Sequence, residues 1–577
     1  MANYFLDNED IQDYFNNVDL RRMVELRERL FEEAKEYDYA PENYEDAIDN
    51  YRRVLTIVGE LAAENFAERA AEVDTEGTHF DSGKVTYATG IQQDLDDLVK
   101  AELMGFTLPR RFNGLNCPVL VYTMATELVS QADASLMNIF GLQDISETIN
   151  SFADEELKQK YLPMFCEGKV TGAMVLTEPD AGSDLTNVQL KAIYDERADA
   201  WYLDGVKRFI TNGCAQVLLV LARSEPDMQG ARGLSLFICE ADPKTTRIRR
   251  IEDKLGIHGS PTCEIQFDRA RAYLVGTRKR GLTTYVLSLM NGARLAIAAQ
   301  GVGLAQAAYQ EALDYARTRE QFGSPICQFP QLREKLGEMH AKVETARLLT
   351  YETARAVDLS EEIERAAKSG LLDKIPDGDS LRRSKKAKSR LASALTPLAK
   401  MYATEVANQV AYDAIQVMGG SGYMRDYNLE RYFRDARIMP IYEGTTEIQV
   451  NAAIGSILNG SIENHFEELH KQHEGQQTKI LERAKEARRL LQEAVDYVKG
   501  LDDRQYIDLH ARRLVDSAID ILNTYLLLAT AQRSVHKEVL AEKYAVDMLP
   551  RVRMRHEMVL SGDRTYLDRT VDLMDYT

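Results

Sequence analysis

A single carboxylate, Glu443, lies where the sequence best supports acid–base chemistry. It stands in segment 439–449, MPIYEGTTEIQ, after an apolar run and before a Gly-Thr-Thr turn. The apolar run can exclude water, which disfavours the charged form of a carboxylate and makes it a stronger base. The turn would leave backbone N–H groups free beside it. Because a Glu before a Gly is also common in ordinary loops, this motif carries weight only together with others.

Two further motifs come earlier in the chain. Residues 176–184 read LTEPDAGSD, and residues 319–323 read REQFG. With residues 416–449, QVMGGSGYMRDYNLERYFRDARIMPIYEGTTEIQ, they form three ordered motifs over about 270 residues. On these motifs the chain resembles the acyl-CoA dehydrogenase family, and the resemblance covers roughly residues 50–455.

The resemblance implies a reaction, the FAD-dependent α,β-dehydrogenation of an acyl-CoA thioester to the trans-2-enoyl-CoA. Glu443 would remove the α-proton, and flavin N5 would accept the β-hydrogen as hydride. The backbone N–H of Glu443 would bind the thioester carbonyl. Some family members carry the base at the position that here is Ala293, which cannot act as one. Glu443 therefore has no visible competitor.

The same resemblance implies a set of residues that bind FAD. Thr177 and Ser183 would meet the isoalloxazine ring and the pyrophosphate, and Thr211 would reach N5. Many members have Trp where this chain has Phe209, and Pro330 interrupts the common Phe-Gln pair, so we assign no adenosine contact there. The expected cofactor-binding residues are Met174, Leu176, Thr177, Gly182, Ser183, Phe209, Thr211, Arg319, Phe322, Gln416, Gly419, Gly420, Thr445 and Glu447.

Arg319 and Phe322 resemble residues that contact the FAD of a neighbouring subunit, so a homodimer or homotetramer is expected. For the substrate, Arg294 is the best candidate to meet CoA, and Glu127 aligns with a helix that lines the acyl pocket. The expected substrate-binding residues are Glu127, Ser183, Asn291, Arg294 and Gly444. Chain length, branching and aromatic character of the acyl group are not readable from these residues.

The elements that must position these residues follow from the periodicity. Residues 8–165 are helical in pattern, residues 171–270 contain short β-rich runs between Gly and Asp turns, and helical periodicity returns at Leu282. A charged segment, 369–384, is expected to be an exposed loop.

These patterns predict a mainly α fold with a central β domain. We expect an N-terminal helical domain (1–168), an antiparallel β barrel or sandwich (169–280), a C-terminal four-helix bundle (281–458) and an appended helical domain (459–577).

Composition limits the other possibilities. A net charge of −20 argues against a nucleic-acid partner. Six scattered cysteines without a C-x-x-C pair predict no metal or disulfide framework and fit a reducing compartment. No run of 18 apolar residues and no basic, apolar N-terminal leader are present, so we expect a cytoplasmic location without transmembrane helices.

Electron-transfer flavoprotein is the expected electron acceptor. Two alternatives stay open, an acyl-CoA oxidase that uses O₂ and a catalytically idle, DNA-binding relative. A purely structural helical scaffold would leave three flavin motifs unexplained.

Overall fold

The computed structural model describes residues 1–473 and 479–574, and its N-terminal part is helical with one small hairpin. The helices are α1 (Glu9–Asn17), α2 (Arg21–Arg27), α3 (Tyr44–Leu61), α4 (Ala67–Glu76), α5 (Thr89–Lys100), α6 (Val119–Ala132), α7 (Ala134–Gly141), α8 (Ile145–Phe152) and α9 (Glu155–Cys166). The hairpin, which periodicity did not predict, joins β1 (His79–Asp81) to β2 (Lys84–Thr86).

The central β domain is a sheet that closes on itself. Its strands are β3 (Gly172–Val175), β4 (Lys191–Asp195), β5 (Ala200–Thr211), β6 (Val217–Arg223), β7 (Leu234–Glu240), β8 (Thr246–Ile251) and β9 (Thr262–Val275). Pairing runs from β6 through β7, β9, β5 and β4 back to β6, with the last link made by Lys191 and Arg223. The pairing is mostly antiparallel, as expected, but β3 and β4 run parallel to β6.

Long helices return after the β domain and form the bundle. They are α10 (Leu287–Thr318), α11 (Pro330–Ser369), α12 (Gly378–Met418), α13 (Leu429–Ala436) and α14 (Thr446–Leu458); a two-residue pair, β10 (Glu320–Gln321) and β11 (Ser324–Pro325), precedes α11. Two glycines bring α10 close to its neighbours: a Cβ on Gly301 would lie 2.7 Å from the Ala403 carbonyl oxygen, and one on Gly303 would lie 2.2 Å from the Glu127 carbonyl oxygen. Helix α10 is therefore held tightly between α12 and α6.

Two carboxylate oxygens from α11 cap the start of α6. The backbone N–H groups of Val119 and Leu120 donate to Asp358 at 2.7 and 2.8 Å. These donors have no partner within their own helix, because the first N–H groups of any helix lack one. The N-terminal part and the bundle are thus joined by a buried cap.

The expected exposed loop at 369–384 is shorter and more buried than predicted. Helix α12 begins at Gly378, and Leu371, Leu372 and Ile375 are buried beside Ile363. The charged residues that suggested a loop lie on the outer face of the first turns of α12 instead. Apolar residues spaced along the segment give it a core of its own.

The appended region is a further helical layer. It contains α15 (Ser461–Gln472), α16 (Lys479–Gly500), α17 (Arg504–Thr530), α18 (Val535–Leu560), α19 (Thr565–Asp568) and α20 (Thr570–Met574). Its buried residues continue the apolar core of the bundle and the N-terminal helices. Within the described ranges, no helix combines the length and apolar character needed to cross a bilayer.

Candidate active site

Glu443 occupies a strained turn between α13 and α14. Its φ is +54°, and that of the following Gly444 is +90°. A positive φ is uncommon for a residue with a side chain, and such conformations concentrate at functional sites. Thr445 caps α14 by accepting a hydrogen bond from the Ile448 N–H at 3.4 Å. The turn therefore presents Glu443 at the end of a helix.

Two side chains hold this turn by donating hydrogen bonds to its carbonyl oxygens, and we call this arrangement the clamp. Lys400 on α12 donates from Nζ to the Met439 and Gly444 carbonyl oxygens, each at 2.8 Å. Gln449 on α14 donates from Nε2 to the Gly444 oxygen at 3.0 Å. The Glu443 N–H has no acceptor among the residues that the structure describes. The clamp fixes the carbonyl groups and leaves this donor available.

The electrostatics suit a base. Burial raises the pKa of Glu443 to about 7, although the charges of Lys400 and Arg294 act to lower it. Burial also lowers the pKa of Lys400 to about 8. A base is most effective when its pKa lies near the working pH. Glu443 can thus be ionised at neutral pH and still bind a proton well.

Residues from three parts of the chain meet Glu443 in one chamber of about 50 Å³. Met174 and Thr211 come from the β domain, Asn138 comes from α7, and Ala293 comes from α10. The Tyr442 hydroxyl donates to Asn138 Oδ1 at 3.1 Å, which ties the Glu443 turn to α7. Two of the expected flavin-binding residues and the expected base therefore line the same space.

The 176–184 segment is held by a buried ion pair. Glu178 binds Lys207 at 2.9 Å and accepts from the Gln189 and Leu190 N–H groups. The Leu176 side chain is buried, and Lys207 donates to its carbonyl oxygen at 2.6 Å. Thr177 is half-buried, while Gly182 and Ser183 are exposed. Buried contacts thus hold the first residues of the motif in place, while its last residues are exposed.

The Phe209 segment also reaches the surface. Phe209 has φ of +59° and is 52% exposed, with the Arg208 guanidinium 4.5 Å from its ring. Asn212, also at positive φ, is buried and donates to the Gly172 oxygen at 3.0 Å. A flat aromatic ring is available here, as expected where Trp is replaced by Phe.

Apart from Thr445 in the Glu443 turn, the remaining expected cofactor residues are exposed and do not line the chamber. A Cβ added to Gly182, Gly419 or Gly420 would meet nothing within 4 Å. Phe322 is 96% exposed, and Arg319, Gln416 and Glu447 are exposed as well. Within one copy of the chain the structure does not bring Arg319 or Phe322 to Glu443.

Arg294 lies near the base, with Asn291 beside it. Arg294 Nη1 donates to Asn291 Oδ1 at 3.2 Å, and Arg294 Nε is buried without a partner among the described residues. The charge of Glu443 acts on Arg294, although burial dominates and lowers the pKa of Arg294. Gly444 is part of the clamped turn. Gly444 and Arg294 are therefore close enough to Glu443 to share its turn or act on its charge, whereas Asn291 contacts Arg294 and lines the larger cavity.

The expectation that Glu127 lines the acyl pocket is wrong. Glu127 is fully buried, binds Arg347 Nε at 2.9 Å and accepts from the Tyr351 hydroxyl at 2.6 Å. It borders neither the Glu443 chamber nor the larger cavity beside it. Helix α6 is buried on nearly all faces, and its acid needs the arginine of α11. Sequence spacing gave no sign of that partner.

A larger cavity continues from the Glu443 chamber. Asp144, Leu289 and Ala296 line both spaces. The cavity is about 280 Å³ and lies between α6, α8, α10, α11 and α12. Pockets between helices commonly hold apolar ligands. Asp144, Gly292 and Lys400 were missed by sequence reasoning, because no motif marks them.

Comparison with known proteins matches this architecture domain by domain. Acyl-CoA dehydrogenase family models match residues 49–169 (N-terminal domain), 173–270 (middle domain), 295–447 (C-terminal domain) and 458–544 (acyl-CoA dehydrogenase C terminal). A 3-methylmercaptopropionyl-CoA dehydrogenase of Ruegeria pomeroyi is 34% identical over 489 residues, 79% of each chain. The protein is thus an oxidoreductase of the flavoprotein class. The chain belongs to the acyl-CoA dehydrogenase family and is an acyl-CoA dehydrogenase.

Solved structures resemble this fold. A chain in the structure described as the electron transferring flavoprotein of Acidaminococcus fermentans is 31% identical, with a TM-score of 0.61 over 71% of this chain and 98% of that chain. Caenorhabditis elegans ACDH-11 in complex with C11-CoA has a TM-score of 0.73 over 96% of both chains, at 20% identity. The second likeness concerns the fold alone and includes the appended helices.

Proposed function

We propose that this protein oxidises an acyl-CoA thioester to the trans-2-enoyl-CoA, with Glu443 as the α-proton base and FAD as cofactor. The observation that carries this proposal is the shared chamber, in which Glu443 faces Met174 and Thr211. A base with a pKa near 7 and a flavin-edge loop are the two parts that the reaction requires on opposite sides of a substrate.

The roles of the chain's own residues follow from their positions. Glu443 takes the α-proton onto its carboxylate, and its free backbone N–H donates to the thioester carbonyl. Lys400 and Gln449 hold the turn so that both groups stay aligned. Arg294, with Asn291 beside it, would meet the CoA portion. The mainly apolar lining of the chamber limits access of water.

The residues present fit FAD. Open glycine surfaces at Gly182, Gly419 and Gly420 allow close approach of a pyrophosphate, and Phe209 offers a ring for stacking. Leu176, Thr177, Ser183, Thr211, Gln416, Thr445 and Glu447 complete the proposed set. When bound, FAD would supply the hydride acceptor.

We further propose that a second subunit completes the cofactor site. Arg319 and Phe322 are exposed and do not line their own chamber, which is the placement expected of residues that serve a neighbour. A guanidinium suits a pyrophosphate, because its planar donors match two oxygens. The proposed domain limits remain 1–168, 169–280, 281–458 and 459–577.

Electron-transfer flavoprotein is the proposed acceptor. The likeness to a chain in the Acidaminococcus fermentans structure supports this choice. An oxidase would instead produce peroxide during aerobic turnover. Stoichiometric peroxide with an acyl-CoA, and no reduction of added electron-transfer flavoprotein, would overturn the acceptor while leaving the dehydrogenation intact.

The dehydrogenation itself is tested by anaerobic titration with saturated acyl-CoAs, followed by flavin absorbance. The panel includes straight-chain thioesters and 3-methylmercaptopropionyl-CoA, for which the Ruegeria relative is named. We expect bleaching and enoyl-CoA formation by the wild type and neither by Glu443→Gln that retains FAD. Equal bleaching by both proteins would exclude Glu443 as the base.

A further inference from the structure

The cavity beyond the Glu443 chamber has an unusual wall for an alkyl chain. Many of its lining side chains carry hydroxyl groups, and four carry carboxylates: Asp144, Glu147, Glu361 and Glu364. Two arginines also line it, but both are already paired with Glu362, Arg27 at 3.0 Å and Arg365 at 2.7 Å. Arg365 also binds Glu361 of the wall, and within the described residues neither arginine forms an ion pair with Asp144.

Two of these carboxylates, Asp144 and Glu147, form no ion pair within the described part of the chain, although the charges of Arg27 and Arg365 act on Glu147. Glu361 binds Arg365 at 3.2 Å, and Glu364 binds Lys368 at 2.9 Å. Among the described residues, no basic group lies within 4 Å of Asp144 or Glu147, and the Asp144 carboxylate accepts no hydrogen bond. An unpaired acid in an enclosed site is costly, because removal of water penalises its charge. Burial, with Glu147 and Glu361, raises the pKa of Asp144 to about 7.

The position of Asp144 is not explained by helix capping. Asp144 precedes α8, where an acid is favoured by the helix dipole, but its side chain makes no capping hydrogen bond. It lies over Gly292 of α10 instead, where an added Cβ would stand 2.6 Å from Asp144 Oδ2. A glycine within a helix costs about 1 kcal/mol relative to alanine. Gly292 therefore leaves room for the carboxylate at the junction of the two spaces.

A second polar group in the chamber lacks a partner. Asn138 is 5% exposed, and its Oδ1 accepts from Gln300 and Tyr442, but its Nδ2 donates to no described residue. Buried polar groups are normally satisfied, so an unsatisfied one in a chamber indicates a missing polar ligand. The cavity wall is thus polar, and Asn138 adds an unsatisfied donor to a chamber whose lining is otherwise mainly apolar.

Resting on the proposed function, we infer that the preferred substrate is an acyl-CoA whose acyl chain carries a cationic nitrogen, bound by Asp144. The nitrogen supplies the positive partner that Asp144 lacks, and Glu147, one helical turn further on, adds to the attraction. The α- and β-carbons stay in the chamber beside Glu443. Dehydrogenation proceeds as for any acyl-CoA, since the nitrogen takes no part in it.

Matched substrate pairs test this inference on the holoenzyme. The compounds 4-(trimethylammonio)butanoyl-CoA and 5,5-dimethylhexanoyl-CoA have the same shape and differ in charge, as do 6-aminohexanoyl-CoA and heptanoyl-CoA. We expect kcat/KM of the wild type to be at least tenfold higher for one cationic member than for its neutral partner. Higher kcat/KM for both neutral members would overturn the inference.

Three variants locate the effect. Asp144→Asn removes the charge at constant shape, and Gly292→Ala displaces the carboxylate; each should lower the cationic-to-neutral ratio at least tenfold. Asp227→Asn changes an exposed acid outside the cavity and should leave the ratio unchanged. An unchanged ratio in Asp144→Asn would overturn the inference. Turnover of neutral thioesters alone would refute only the cationic preference, whereas no flavin bleaching by any thioester would refute the proposed function.

Discussion

At the scale of the residue, Glu443 was predicted from its motif, but its properties were not. The motif supplied the carboxylate and the adjacent glycine. The pKa near 7 depends on burial and on the charges of Lys400 and Arg294, which lie 43 and 149 residues earlier in the chain. For Glu127 the predicted role itself was wrong. Its position in the sequence suggested the wall of a pocket, but its carboxylate forms a buried ion pair with Arg347. Sequence spacing cannot show which charges meet in space.

The raised pKa of Glu443 predicts a trade between activity and stability. Its pKa is about 7 in the folded protein and about 4.3 in an unfolded chain. Between these values the folded state binds more protons, so the carboxylate lowers stability as pH rises through this window. We expect the Tm of Glu443→Gln to equal that of the wild type near pH 4.5 and to exceed it at pH 8. A lower Tm of the variant at pH 8, measured by calorimetry with FAD bound to both proteins, would contradict this.

At the scale of the element, the clamp on the 439–449 turn is the feature that sequence reasoning missed. The three motifs and the order of helical and β segments gave the fold class and most of the proposed cofactor loop. Lys400 lies in the middle of α12 without any motif, and a buried lysine reads in sequence as an exposed one. The same ambiguity applies to 369–384. Charged residues at the start of α12 lie on an exposed helix face, and sequence alone does not distinguish such a face from a loop.

Removal of Lys400 should move the pH profile. Lys400→Met removes a positive charge that lowers the pKa of Glu443 and two hydrogen bonds to the turn. We expect lower kcat and an acidic limb of the kcat/KM profile that shifts to higher pH. Lys386→Met, an exposed change on the same helix, is the matched control. A profile that keeps its acidic limb in Lys400→Met would show that the lysine is only structural.

At the scale of the whole molecule, the appended region contacts both the N-terminal helices and the bundle. Lys537 on α18 is buried and binds Asp10 of α1 and Glu344 of α11. His536 Nε2 also lies 3.0 Å from His340 Nε2. The sequence indicated an added helical domain but not these contacts, because Asp10 and Lys537 are 527 residues apart.

Loss of the Lys537 charge should destabilise the protein. Lys537→Met leaves the buried carboxylate of Glu344 and the half-buried one of Asp10 without this partner, and breaking a buried ion pair costs about 3 kcal/mol or more. Lys543→Met on the same helix removes an exposed pair with Asp547 and should cost less than about 1 kcal/mol. Denaturant unfolding of the two variants compares them directly. Equal stability would mean that α18 docks through apolar contacts alone.

The proposed cofactor contact between subunits makes FAD retention depend on assembly. On dilution, bound FAD should fall at the protein concentration at which the oligomer dissociates, as measured by sedimentation and flavin fluorescence. Arg319→Gln should release FAD at higher protein concentration, while Arg317→Gln, a change of an exposed arginine two residues earlier, should behave as the wild type. A monomer that retains FAD would exclude the contact.

Proton abstraction by Glu443 is the central claim, and hydrogen exchange tests it most directly. In 3-thiaoctanoyl-CoA a sulfur atom replaces the β-carbon, so no hydride can leave and only the α-proton can be removed. The holoenzyme in D₂O should exchange the α-hydrogens of this thioester, with a rate that rises as pH increases through about 7. Glu443→Gln with FAD and thioester bound should show no exchange above the rate in buffer. Exchange by the variant at the wild-type rate would contradict the account, because another group would then be the base.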